Sequence, residues 1–282
     1  MSISEKLSDL QRQLDALSKP PAEFDHTEVA ITTAECSKHG AFEQRTRICT
    51  GPVKLPQRGS LCPACLREEI EKAKIELQHQ EARLKTQKIG VLLNDLRIPE
   101  RFSSCTLDNY EIISPDSERC LKVCKAYASK WPERLKQGGG LVMCGKPGTG
   151  KNHLALAIAK YVINEHQNSA LFTTALRIAR LFKSTWSKSS EMTESDAISI
   201  YTDPDLLIID EVGVQFGSDT EKLILFEIIN TRYERMRPTI LISNQSREEL
   251  SAFIGERVID RMNDGGGCTL AFTWDSYRSR AA

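Results

Sequence analysis

No stretch of the 282-residue sequence approaches the roughly 20 consecutive apolar residues that a membrane-spanning helix needs, so neither a span nor a membrane partner is expected. Charge of one sign is not in excess either. The 38 basic and 38 acidic residues balance, which withholds support from a strongly nucleic-acid-binding surface while leaving room for a local basic groove. There is no internal repeat and no low-complexity tract, and 40% apolar with 27% charged residues excludes a disordered chain. The opening residues, MSISEKLSDLQRQLDAL, lack the charged-then-apolar layout of an export signal, so a cytoplasmic protein is expected. In that setting nine cysteines, an odd number, point to thiols or metal ligands over disulfides.

What is present falls into zones. Residues 1–30 read as an N-terminal helix and linker: Ile3, Leu7, Leu10, Leu14 and Leu17 recur at helical spacing, and Pro20 and Pro21 stop the helix. Residues 31–66 hold four of the cysteines. Residues 67–97 continue a charged helical pattern whose Leu66, Ile70, Ala73, Leu77, Leu84 and Val91 can form one narrow apolar stripe on a solvated connecting helix. From residue 98 to 282 short apolar runs alternate with helical stretches. Buried strands are expected at 141–144, 170–173, 206–209, 239–243 and 269–272, and helices at 151–165, 176–187, 219–236 and 247–263. Alternation of this kind makes a parallel sheet covered on both faces, an α/β fold of five strands with flanking helices, preceded here by a small cysteine module.

The first chemical motif is Gly145-Lys146-Pro147-Gly148-Thr149-Gly150-Lys151, which fits G-x-x-x-x-G-K between a strand and a helix. Glycines let backbone N–H groups turn inward around phosphate oxygens, the following helix presents its positive end, and Lys151 neutralises the β- and γ-phosphates of ATP. Asn152 stands where Ser or Thr normally offers a hydroxyl to magnesium, so intact nucleotide binding with slow hydrolysis is expected. The run from Asp205 to Asp210 and Glu211 carries two carboxylates to the end of a buried strand, where open α/β sheets bind ligands. Asp210 is the expected magnesium partner with Asn152, and Glu211 the residue that orients the attacking water. Asn244 closes a further strand, one expected between the other two, and is a candidate to sense the γ-phosphate or that water.

The cysteine module pairs Cys36-Ser-Lys-His39-Gly40 with Cys62-Pro-Ala-Cys65, about a hairpin apart. Together these predict a Cys₃His tetrahedral zinc site formed by Cys36, His39, Cys62 and Cys65, with Cys49 as the alternative fourth ligand or a buried hairpin thiol. So few residues need such a staple to hold a fold. Cys105, Cys120, Cys124, Cys144 and Cys268 sit among apolar neighbours and read as small core hydrophobes. Arg177, Arg180, Lys183 and Lys188, interleaved with Phe182 and Trp186, suit either a single-strand DNA surface or the charged face of an amphipathic helix.

Four blocks, GKPGTGKNHLA, LLIIDEVGVQ, GERVIDRM and WDSYRSR, resemble the DnaC-type helicase loaders of bacteria and phages within the AAA+ ATPases, over roughly residues 96–280. The resemblance includes Asn152. Some phage and prophage loaders carry a comparable zinc ribbon. It implies a protein that binds the hexameric replicative helicase and helps place it on single-stranded DNA, with ATP as a conformational switch. It also implies that Arg261 acts as an arginine finger on a neighbouring subunit's ATP, with Arg257 one turn earlier. Arg278 is then a second nucleotide sensor, Asn244 stands at the first sensor position, and the ATP-bound chain self-associates. The other readings of the same motifs are a helper ATPase of a transposition system and a zinc-ribbon adaptor that holds nucleotide without hydrolysing it.

Overall fold

The computed structural model describes residues 2–51, 57–187, 189–213 and 219–277. The chain divides into two compact units, Met1–Thr86 and Gln87–Ala282. Among the described residues no helix is long and apolar enough to cross a membrane.

The first unit opens with α1 (Ile3–Ser18), which Ser2 starts through a reciprocal capping box with Glu5. Lys19 is already extended ahead of Pro20, and its carbonyl accepts a bond from Arg45 Nη1 at 2.6 Å. Strands β1 (Thr27–Cys36) and β2 (Gly40–Cys49) form an antiparallel hairpin that pairs continuously from Thr27↔Cys49 to Cys36↔Gly40. Helix α2 (Pro63–Asp95) begins directly after Cys62, with proline at its first position, where a missing N–H costs nothing. Its expected stripe is only partly a packing face. Leu66, Ile70 and Ala73 are buried, whereas Leu84 and Val91 are exposed.

The second unit is built on a five-stranded parallel sheet of β3 (Leu141–Gly145), β4 (Ala170–Thr174), β5 (Leu206–Asp210), β6 (Thr239–Ile242) and β7 (Cys268–Phe272), in the order β4-β5-β6-β3-β7. β3 to β6 are buried almost end to end, as unbroken apolar runs require when both faces are covered. Leu141 and Met143 face a core shared with α3 (Pro115–Ser129), α4 (Trp131–Gln137) and α5 (Lys151–His166). Val142 and Cys144 face the opposite core, with α6 (Ala175–Thr185), α7 (Glu194–Thr202), α8 (Asp219–Glu234), α9 (Arg247–Ile254) and α10 (Glu256–Asn263).

Two expectations change. The helix expected over 247–263 is two helices, because Gly255 sits at φ 92 and ψ 141, outside helical space. Phe182 is buried at 3% exposure in the sheet's core and offers no ring for a nucleobase to stack on. Of its companions, Lys183 is ion-paired to Glu221 at 2.8 Å and Trp186 donates to Glu194 at 2.6 Å, while Lys188 lies outside the described residues.

A candidate nucleotide site and a candidate metal centre

At the carboxyl edge of the sheet β3 runs into the glycine loop and α5. Gly150 holds the position before α5 at φ 90, and no side chain among the described residues caps it. The positive end of that helix therefore faces the loop, where it favours an anion. A Cβ on Gly150 would stand 2.6 Å from the Tyr110 ring, so no larger residue fits. Lys151 is 5% exposed, and its ammonium bonds the Gly145 and Lys146 carbonyls at 2.8 and 2.7 Å, arched back over the loop.

Residues from both ends of the domain brace the loop. The Thr149 carbonyl accepts from Trp274 Nε1 at 3.2 Å and from the Tyr110 hydroxyl at 3.1 Å. The Gly148 carbonyl accepts from the Tyr277 N–H at 2.9 Å, and the Phe272 carbonyl accepts from the Lys146 N–H at 2.8 Å. In a trans peptide C=O and N–H point opposite ways. Holding the Gly148 and Thr149 carbonyls against these partners thus turns the N–H groups of Thr149 and Gly150 to the other side of the loop. Burial pushes the Tyr110 phenol well above its ordinary range, so it stays a donor. The sequence reading overlooked Tyr110 and Trp274. An aromatic far from a glycine loop along the chain carries no local signal of contact with it.

The acidic strand end meets the loop directly. Asn152 Nδ2 donates to Asp210 Oδ2 at 2.6 Å. An ionised carboxylate only accepts, so this bond orients the amide with Nδ2 on Asp210 and Oδ1 turned away as an acceptor. Burial raises the Asp210 carboxyl above its ordinary value, against the Asn152 bond, the Glu211 N–H and the Lys151 charge. This pair is an oxygen donor set that suits magnesium, and the loop and Lys151 suit the phosphates of ATP. Glu211 is exposed at φ 59, its N–H bonded to Asp210 Oδ1 at 2.7 Å. Asn244 is exposed at the end of β6, the strand between those carrying the loop and the acids.

The arginines are placed elsewhere. Arg257 is exposed on α10. Arg261 donates to Asn230 Oδ1 and lies over the Phe226 and Tyr233 rings at 5.9 and 5.4 Å, all within its own chain and none in the glycine loop. Arg278 lies outside the described residues.

In the first unit the hairpin turn carries Cys36 and His39 to the start of α2, where Cys62 and Cys65 sit. One ligand atom from each of the four lies within 4.8 Å of every other. His39 Nδ1 is 3.6, 3.7 and 3.3 Å from the sulfurs of Cys36, Cys62 and Cys65, and Cys36 and Cys65 sulfurs are 3.5 Å apart. Tetrahedral zinc with bonds of about 2.3 Å to sulfur and 2.0 Å to nitrogen has edges of about 3.5–3.8 Å, which these separations approach. Backbone N–H groups of Lys38 and His39 hold the Cys36 thiol down at about 6, favouring the thiolate a metal takes. Glu68 accepts from His39 Nε2 at 3.0 Å and from Lys38 at 2.8 Å, which turns Nδ1 toward the sulfurs. Cys49 pairs with Thr27 at the far end of the hairpin, nine residue pairs from Cys36↔Gly40, or about 30 Å at about 3.3 Å per residue.

Residues 91–279 match the family described as IstB-like ATP binding protein. The replicative helicase loader DnaC of Buchnera aphidicola subsp. Acyrthosiphon pisum (strain APS) is 39% identical over 194 residues, covering 69% of this chain and 77% of that loader. The DnaC loader of Escherichia coli (strain K12) is 36% identical over 177 residues, covering 63% and 70%. A crystal structure of the DnaC helicase loader superposes with a TM-score of 0.55 at 22% identity, covering 62% of this chain and 99% of that one, a likeness that bears on the fold. The chain belongs to the family of IstB-like ATP binding proteins, and its sheet and glycine loop are of the DnaC helicase-loader type.

Proposed function

We propose that this protein loads the hexameric replicative DNA helicase onto single-stranded DNA during replication initiation, and that slow ATP hydrolysis acts as its switch. The observation that carries the switch is the Asn152–Asp210 bond of 2.6 Å, which joins the phosphate loop to the acidic strand at the point where magnesium would sit. The N–H groups of Gly148, Thr149, Gly150 and Asn152, with the Lys151 ammonium, hold the phosphates, and Arg278 reads the nucleotide. Asn152 and Asp210 hold magnesium, which neutralises charge on the phosphate oxygens when bound. Glu211 polarises the attacking water and Asn244 reports on it. An amide oxygen in place of a hydroxyl gives the metal a less adaptable ligand, which supports slow turnover.

Arg261 acts on the ATP of a neighbouring subunit, so the ATP-bound chains associate with one another on the helicase. Arginine suits this because its planar fork spreads charge over the transferring phosphoryl group. Cys36, His39, Cys62 and Cys65 bind zinc and hold the first unit together.

The test is co-purification with the replicative helicase of the source cell, followed by mass measurement with ATP and with ADP. A complex carrying several copies of this chain with ATP, reduced by Arg261→Ala, is expected. No complex with the helicase, or capture of a transposase in its place, would refute the loader reading.

A further inference from the structure

Glu211 is an L-residue in the left-handed region, at φ 59. Such a conformation costs about 1–3 kcal/mol and persists only where the surroundings over-determine it. The determining bonds come from Ile242, Ser243 and Gln245, around Asn244. The Val212 N–H bonds the Ile242 carbonyl at 3.0 Å, and the Val212 carbonyl accepts from Ser243 Oγ at 2.6 Å. The next carbonyl, of Gly213, accepts from Gln245 Nε2 at 2.8 Å. Asp210 precedes Glu211 inside β5, held by the ladder and by Asn152. The chain is thus pinned immediately before and after Glu211, which holds its left-handed conformation between these anchors, with Gly213 at φ 90 completing the turn.

Gln245 does a second thing. Its main-chain carbonyl accepts from the N–H of Gly145, the first residue of the glycine loop, at 2.8 Å. One residue therefore grips the phosphate loop with its backbone and the chain after Glu211 with its side chain. The amide orientation follows from chemistry, since the Gly213 carbonyl needs a donor. Gln245 Oε1 is left buried without a hydrogen-bond partner among the described residues, a cost that a residue with only a packing role would not need to carry.

We propose that Gln245 is a positioning residue for Glu211, with Ser243 as its support, and that it couples the phosphate loop to the carboxylate that polarises the attacking water. The proposal rests on the reading of Glu211 as that carboxylate.

The informative substitution is Gln245→Glu, which keeps shape and removes the donor, beside Gln245→Ala and Ser243→Ala. ATP affinity within about twofold of wild type and turnover about tenfold lower are expected. Hydrogen exchange should also quicken at residues 211–213 in the nucleotide-bound protein, a readout that does not depend on turnover. Glu211→Gln, run in parallel, separates the two ideas. If it leaves turnover intact, the reading of Glu211 fails. If it abolishes turnover while Gln245→Glu hydrolyses and exchanges like wild type, Gln245 positions nothing. Loss of ATP affinity as large as the loss of turnover would likewise overturn the proposal, because it would make Gln245 part of the binding loop alone.

Discussion

Replacing Trp274 by Phe removes one hydrogen-bond donor and keeps most of the ring, which makes it a clean probe of how the phosphate loop is held. Trp274 Nε1 and the Tyr110 hydroxyl converge on the Thr149 carbonyl at 3.2 and 3.1 Å, and Thr149 is itself buried. With Trp274 gone the carbonyl still has Tyr110, so the loss is that of one net hydrogen bond, about 1 kcal/mol. That corresponds to about a fivefold weaker ATP dissociation constant if the whole loss falls on the loop's readiness to present its N–H groups. Tyr110→Phe alone should behave the same way. The double variant is different, because it orphans a buried acceptor at a further cost of about 1–3 kcal/mol. The second removal should therefore cost more than the first, taking the combined loss past the about 30-fold of two additive losses to about 150-fold or beyond. Calorimetric titration with ATP and ADP, alongside a thermal melt of the nucleotide-free protein, measures both parts. Additive single effects, or a double variant that binds ATP like wild type, would refute the idea that the two donors share one acceptor to shape the loop.

Three further outcomes are expected. Asn152→Thr restores a hydroxyl ligand and should raise ATP turnover several-fold with the helicase present; unchanged magnesium affinity and turnover would mean that this residue limits neither. Burial raises the Asp210 carboxyl in the folded state, so its ionisation penalty is absent below the ordinary carboxylate range and complete above the raised value. Stability of the nucleotide-free protein should therefore fall as pH rises through that window, while magnesium-dependent ATP binding, which needs the ionised form, should grow. Asp210→Asn should melt higher than wild type at neutral pH and lose the magnesium dependence, and a lower melting temperature there would contradict the burial argument. Finally, the purified protein should carry one zinc per chain. Stripping it with a chelator should expose residues 27–66 to protease while leaving the melt of residues 87–277 in place; a metal-free protein with an equally protected hairpin would remove the zinc assignment.

The sheet was legible because its strands are short unbroken apolar runs punctuated by helical periodicity, and β3 to β6 fall within a residue or two of where that pattern puts them. The glycine loop was legible because its function is local: consecutive residues, a strand before and a helix after. Helix α7 was not read, since Glu194–Thr202 is short and mixed in character, and the break at Gly255 was passed over because a single glycine inside a helical pattern is usually tolerated. The place of Phe182 was not legible for a related reason. Interleaved aromatics and basic residues look alike whether the ring stacks on a base or fills the core, and only the sheet beneath α6 decides.

By itself the sequence determined the chemistry on offer: a glycine loop with lysine, two carboxylates ending a strand, and two matched pairs of cysteine and histidine side chains. Tertiary structure alone decided which of these meet. Strand order set β6 between the loop and the acids, so Ser243 and Gln245 became the link across the site. The hairpin register chose His39 over Cys49, because nine residue pairs of extended chain keep Cys49 at the other end. Tyr110 and Trp274, 39 and 125 residues from Thr149, closed on one carbonyl. Local patterns in a chain encode backbone conformation and the reactive groups it carries. Contacts between residues so far apart depend on how whole elements pack, and a single sequence does not display that.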